Sequence, residues 1–340
     1  MTFLFEKKHF SSFRIIIFGF MLVIFAGALL LTLPIATTDG HGALFTDALF
    51  TSTSAVCVTG LVLHDTATYW APFGQFIIML LIQIGGMGVV TVAVAIAVVS
   101  GRKIGLMQRS TMQEAIAAPQ VGGIVRLTEF ILKMTITIEG LGAAVMAPVF
   151  CREFGFLKGI WYAVFHSVSA FCNAGFDLMG VRAAFSSLTT YAGQPVINLA
   201  IMFLIVFGGI GFLTWEDITV HGLHFKKYRM QSKVILSVAG VLILIPAVYF
   251  YFCEFSKGAW ADFSVPEKVL ASMFQSVTPR TAGFNTVELT ALTEAGQMMM
   301  IILMLIGGSP GSTAGGMKTT TAAVLFASAI AVFRQKEEAH

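Results

Sequence analysis

Arg280-Thr281-Ala282-Gly283-Phe284 closes a half-apolar segment, residues 265–278, that is too short to cross a bilayer. Two other stretches follow the same plan. Cys57-Val58-Thr59-Gly60-Leu61 ends a short segment near residues 43–57, and Cys172-Asn173-Ala174-Gly175-Phe176 ends one near 158–172. Phe50 precedes Gly60 by ten residues, as Phe165 precedes Gly175; Phe274 precedes Gly283 by nine, so the third copy is one residue shorter. The turn glycines lie 115 and then 108 residues apart. One glycine turn alone is an ordinary loop. Three in register, each behind a half-helix, describe a duplicated unit of domain size, as in the internal repeats of transport proteins.

Working outward, long apolar segments flank each turn, near residues 13–34, 74–99, 127–150, 194–219, 233–254 and 296–332. Of the 340 residues, 56% are hydrophobic and 11% charged; soluble domains carry about 25% charged residues. Mean hydropathy is +0.84. The run from Ile15 to Leu33 holds no charge. Its length matches a hydrocarbon core of about 30 Å. It is too long for a signal-peptide core and no small-x-small cleavage pattern follows it directly, so it reads as a retained helix. The expected fold is an all-α polytopic membrane protein. Its span–pore half-helix–span units, residues 1–110, 111–230 and 231–340, would surround a central ion pore.

Basic residues set the expected orientation. Lys7, Lys8 and Arg14 precede the first span; Arg102, Lys103 and Arg109 lie between the first two units; Lys226, Lys227, Arg229 and Lys233 lie between the next two; Arg334 and Lys336 follow the last span. All share one side, which is expected to be the cytoplasm, with the N-terminus on it. The links opposite carry the mixture His64, Asp65, Arg152, Glu153 and Lys158. A net charge of +3 is no nucleic-acid signal, and the four cysteines form no C-x-x-C pair that would suggest zinc or redox work. No H-E-x-x-H stands in the spans. Neither an enzyme nor an organic cofactor is expected.

Backbone that is neither helix nor sheet is tolerated at membrane depth only inside protein or along a water-filled path. A half-helix followed by an extended turn holds bare carbonyls there, and such carbonyls replace the hydration shell of potassium in channels. Glycine permits the backbone angles and lets strands converge. The C-terminal end of the half-helix favours a cation. Cys57, Val58, Thr59 and Gly60, with Cys172, Asn173, Ala174 and Gly175, and Arg280, Thr281, Ala282 and Gly283, are the candidate ion-binding filter, with K+ as the ion held there. After each turn the next span carries a glycine pair. The clusters Gly85-Gly86-Met87-Gly88 and Gly208-Gly209-Ile210-Gly211 read as close helix packing. The third differs: Gly307-Gly308-Ser309-Pro310-Gly311-Ser312-Thr313-Ala314-Gly315-Gly316-Met317-Lys318 is too rich in helix breakers to remain helical, and reads as a gate loop.

Other residues carry weaker signals. Glu139 lies within a span, where a carboxylate is either functional or a hydrogen-bonding link between helices. Glu129 and Lys133 read as a structural i,i+4 pair. His166 and Gln275 occupy matching half-helix positions and read as braces for the turns. The backbone of Cys57 and Cys172 matters more than their thiols. Lys318 either snorkels or tethers the loop.

These turns and the loop resemble the Trk/Ktr/HKT superfamily, in particular its bacterial KtrB/TrkH-like pore-forming subunit, over essentially the whole chain. The resemblance implies four units around one pore, one filter glycine in each, and selectivity for potassium. Glycine at the first filter, as at Gly60, goes with potassium; a sodium-selective or Na+/K+ cotransporting member is the alternative. It also implies symport or passive flux, a homodimer in membrane lipid, and control by a cytoplasmic nucleotide-binding regulatory subunit of the KtrA/TrkA-like ring type. By the spacing above, a fourth filter glycine would fall at about residue 390. The expectation is therefore a chain that lacks the fourth repeat.

Overall fold

In the computed structural model, the structure describes residues 12–100, 105–116 and 123–334. Lys7, Lys8, Arg102, Lys103 and Lys336, on which part of the expected orientation rests, lie outside the described residues.

The helices run in chain order. They are α1 (Ser12–Leu31), α2 (Phe45–Val56), α3 (Thr66–Tyr69), α4 (Pro72–Met87), α5 (Val89–Val99), α6 (Leu106–Ala115), α7 (Ile124–Phe154), α8 (Phe156–Phe171), α9 (Pro195–Gly209), α10 (Phe212–His221), α11 (Met230–Tyr249), α12 (Val265–Val277), α13 (Glu294–Leu305) and α14 (Thr319–Phe333). Local chemistry accounts for several starts. Pro72 and Pro195 sit in the first turns of α4 and α9, where a missing N–H costs nothing. Ser264 and Glu267 form a capping box on α12, and Thr293 caps α13. Glu254, buried, accepts a hydrogen bond from the Thr293 amide at 3.2 Å and so fixes the start of α13.

The short helices α2, α8 and α12 each pack on the long helix before them, α1, α7 and α11. These are the three half-helices expected from sequence. α1, α7 and the continuous run Met230–Glu254 are long and apolar enough to cross a bilayer alone. The spans expected at 74–99 and 194–219 are not continuous. α4 and α5 meet at 95°, and α9 and α10 at 101°. The third glycine of each cluster makes the break: Gly88 has φ +83° and Gly211 φ +90°. An L-residue rarely adopts such angles, so the helix stops there. The reading of these clusters as packing alone is thus corrected. The first glycine of each does pack closely: a β-carbon on Gly85 would lie 2.1 Å from the Val56 carbonyl oxygen, and one on Gly208 1.9 Å from that of Phe171. The same cluster seats a span against a turn and then bends it.

Large side chains fill the centre. Phe150, Phe165, Phe171, Phe176, Phe274 and Phe284 are fully buried. Phe18, Leu22, Leu141, Leu244 and Phe326 face outward and are mostly exposed. Such an apolar exterior suits lipid rather than water.

Gly208→Ala should lower the stability of the detergent-solubilised protein by about 1–3 kcal/mol through overpacking. Gly209, beside which an added β-carbon meets nothing within 4 Å, should accept alanine without loss. Thermal melting of both variants checks the contrast.

Candidate functional site: three glycine turns and the loop against them

The three half-helices end at the turns. Cys57, Cys172 and Thr278 are their C-caps, so the partly negative end of each helix dipole faces the turn. The first two turns share one hydrogen-bond pattern. The Thr59 amide donates to the Ser54 carbonyl at 2.9 Å, and the Ala174 amide to that of Ser169 at 2.8 Å. In the third, one residue shorter, the Ala282 amide donates to the Thr278 carbonyl at 3.0 Å. Hydroxyls support the outgoing strands. Ser169 Oγ donates to the Phe176 carbonyl at 2.7 Å, and Thr278 Oγ1 to that of Phe284 at 2.5 Å. In the first turn Thr59 Oγ1 donates instead to Ser54 Oγ at 2.9 Å. Ser54, Ser169 and Thr278 stand two or three residues ahead of the turn motifs, and their bracing role was not anticipated. A hydroxyl at a matching offset from each turn glycine was the available signal.

The turns meet side by side. A β-carbon on Gly60 would lie 2.5 Å from the Ala174 carbonyl oxygen. One on Gly175 would lie 2.7 Å from the Ala282 oxygen and 3.1 Å from Gly283 Cα. Gly60, Gly175 and Gly283 have φ of +72°, +72° and +82°. The angle strains a larger residue at all three, and at Gly60 and Gly175 the neighbouring carbonyl oxygens leave no space for one. Two positions before each of these glycines stands another left-handed residue: Val58 at φ +54°, Asn173 at +56° and Thr281 at +65°. This second shared feature was invisible in sequence, since Val and Thr disfavour that region.

Side chains behind the turns sort by chemistry. Cys172 Sγ lies 4.0 Å from Glu139 Oε1 and from Gln83 Oε1. Glu139 thus sits between helices behind the second turn, and its backbone carbonyl accepts from Ser167 Oγ at 2.7 Å. His166 is fully buried. It bonds Tyr162 O through Nδ1 at 2.7 Å and accepts from the Leu178 amide through Nε2 at 3.2 Å. That is the expected brace. Gln275 does otherwise: its amide meets Met300 Sδ at 3.1 Å. Arg280 is 5% exposed. A guanidinium cannot ligate a cation, so only its backbone can contribute to an ion site. Glu129 and Lys133 pair on the surface at 2.7 Å.

The segment 307–318 breaks the helix between α13 and α14, as expected. It is not slack. The Gly307 and Gly308 amides donate to the Met317 and Gly315 carbonyls at 3.0 Å each, and Lys318 Nζ donates to Ala314 O at 2.8 Å. Lys318 therefore tethers the loop. The loop is also pinned to the second unit. Ser309 N and Thr313 N donate to the carbonyls of Gly209 and Gly208 at 2.9 and 3.2 Å, and Phe212 N donates to Gly311 O at 2.7 Å. Thr313 Oγ1 donates to Phe171 O at 2.8 Å and accepts from Asn173 Nδ2 at 2.9 Å. One hydroxyl joins the loop to the second turn.

Bent and broken spans around converging half-helix turns define a multi-pass membrane protein of the cation-transporter class. The chain belongs to the TrkH family of cation transport proteins, whose family model matches residues 7–340. Similar proteins include the potassium/sodium uptake protein NtpJ of Enterococcus hirae, 39% identical over 85% of this chain and 63% of its own length. The Ktr system potassium uptake protein B of Bacillus subtilis is 39% identical over 97% of this chain and 73% of its own. The chain thus spans under two thirds of the length of the first of these relatives. Among solved structures, the potassium transporter TrkH from Vibrio parahaemolyticus shares the fold with a TM-score of 0.68 at 21% identity, over 97% of this chain and 64% of that one.

Thr313→Val should loosen the loop by removing both hydrogen bonds of the hydroxyl and orphaning Asn173 Nδ2, a loss of about 1–3 kcal/mol. Amide exchange across residues 309–316 should accelerate about fivefold or more, with α7 unchanged.

Proposed function

We propose that the chain forms part of a potassium-conducting path across the bacterial inner membrane. Ions would pass along the carbonyls of the three turns, and the loop 307–318 would act as the gate. The observation that carries this reading is the close approach of Gly60 to Ala174 O and of Gly175 to Ala282 O. It leaves carbonyl-bearing strands side by side within the protein, with room for no side chain. Three half-helix C-termini aimed at them favour a cation. The membrane potential then drives entry by about 2.3 kcal/mol per charge per 100 mV.

The cytoplasmic side would be that of the exposed Lys226, Lys227 and Arg229, with the N-terminus on the same side. The family resemblance supports a homodimer and a nucleotide-binding regulatory ring on that face. Sodium is the second reading, favoured by the name of the E. hirae relative, a potassium/sodium uptake protein.

Rubidium and sodium uptake, measured in a bacterium that lacks its own potassium uptake systems, tests the reading. Gly175→Asp and Gly283→Asp should each abolish selective rubidium uptake; unaltered uptake and selectivity in both would refute the filter. If sodium competes equally with potassium, the second reading replaces the first. Shortening the loop within residues 309–316 should raise flux, and lower flux at normal expression would count against a gate.

A further inference from the structure

At the end of the run Met230–Glu254 opposite Lys226 and Lys227, the second and third units leave a cleft of about 530 Å3 between them. That is the size of a small-ligand site. Its walls come from residues 185–192, 260–263 and 285–290. The third unit supplies firm walls. Trp260 packs edge-on against Phe255, ring centroids 5.1 Å apart, and Val287 joins the same buried cluster. The second unit supplies Phe185, which is 60% exposed and holds φ +60°. A bulky residue rarely adopts that angle. The Asp65 carboxylate keeps it there, accepting from the Phe185 amide at 3.0 Å. Strain of this kind gathers at ligand clamps, and an exposed ring does not repay it by packing within the chain. Glu288 is the one charged residue lining the cleft among the described residues. Its Oε1 accepts from Thr290 Oγ1 at 2.8 Å, and it has no ion-pair partner among the described residues. At Leu289 and Thr290 the cleft adjoins a second cavity, of about 300 Å3. This one is apolar and follows one face of α13 past Met300, Ile301 and Met304. Ile301 and Met304 are about half exposed.

We infer that the two cavities together hold one membrane lipid with an ammonium headgroup, of the phosphatidylethanolamine type. The ammonium lies by Glu288 and the rings of Phe185 and Trp260, where charge and the aromatic quadrupole both favour it. The Asn285 side-chain amide, also in the lining, is a donor for the phosphate. The cleft stands just ahead of the start of α13, at headgroup depth, where tryptophan is enriched. The acyl chain then follows the α13 groove into the bilayer. A lipid whose head carries only negative charge meets Glu288 with like charge, which selects against it. Nothing in this site depends on the filter reading.

The test is titration of the purified full chain in detergent with defined lipids, read as the rise in melting temperature. Phosphatidylethanolamine should raise it, and phosphatidylglycerol should need about tenfold more for the same rise. Glu288→Gln should weaken the apparent constant for phosphatidylethanolamine about fivefold, while Glu288→Asp, which keeps the charge, stays within about twofold. Ile301→Ser, in the groove, should weaken it about threefold or more. Melting without added lipid shows that each variant retains its fold. Equal affinity for phosphatidylglycerol, or wild-type affinity in both Glu288→Gln and Ile301→Ser, overturns the site. Glycerophosphoethanolamine, the same head without its chains, should fail to compete. Competition as strong as the lipid's overturns the lipid in favour of a soluble ammonium compound.

Discussion

Backbone held in the membrane interior without a helical partner is the constraint on which the rest of this structure depends. An unsatisfied carbonyl in hydrocarbon costs several kcal/mol, so such backbone must be enclosed by protein. Each unit meets the demand in the same way. A half-helix delivers the turn, and packing on a long span holds the half-helix. In the second and third units a hydroxyl from the half-helix end, Ser169 or Thr278, then holds the outgoing strand. The left-handed residues Val58, Asn173 and Thr281 store about 1–3 kcal/mol of strain each. Such strain persists only where the surroundings over-determine the conformation, and the amide bonds to Ser54, Ser169 and Thr278 do so.

The loop 307–318 answers the same constraint from the other side. Several of its carbonyls and amides pair internally or with the bend between α9 and α10. Thr313 and Gly208 both contact the Phe171 carbonyl, one by hydrogen bond and one by close approach. Turn, bend and loop therefore share a single backbone oxygen. Movement of the loop would uncover that oxygen and unpair Asn173 Nδ2 in the same step. A loop built this way has one defined, pinned arrangement rather than a floppy one.

Much of this was legible in sequence because the repeat supplied its own controls. The half-helices end at Val56, Phe171 and Val277, within a residue of the positions read from the pattern, since each runs into a glycine turn. The break after Ile306 was legible from its density of Gly, Ser and Pro. The bends at Gly88 and Gly211 were not. Gly-Gly-Met-Gly and Gly-Gly-Ile-Gly stand inside strongly apolar runs, and small residues there signal packing as readily as a break. Glycine served both purposes, and only the backbone angle tells which one did which. The left-handed valine was equally hidden, because its local preference opposes the conformation that the turn imposes. Gln275 matched His166 in position, but its partner Met300 lies in a later helix that no local pattern identifies.

The inequality of Val58, Asn173 and Thr281 has a genetic consequence. In a pore assembled from identical subunits, one codon change alters every strand of the ring at once, and intermediate states are inaccessible. Here each strand has its own codons. A single nucleotide change can retouch one turn and leave its neighbours as they were. Selection can therefore move such an arrangement in fractional steps, trading one side chain at a time, without rebuilding all the turns at once.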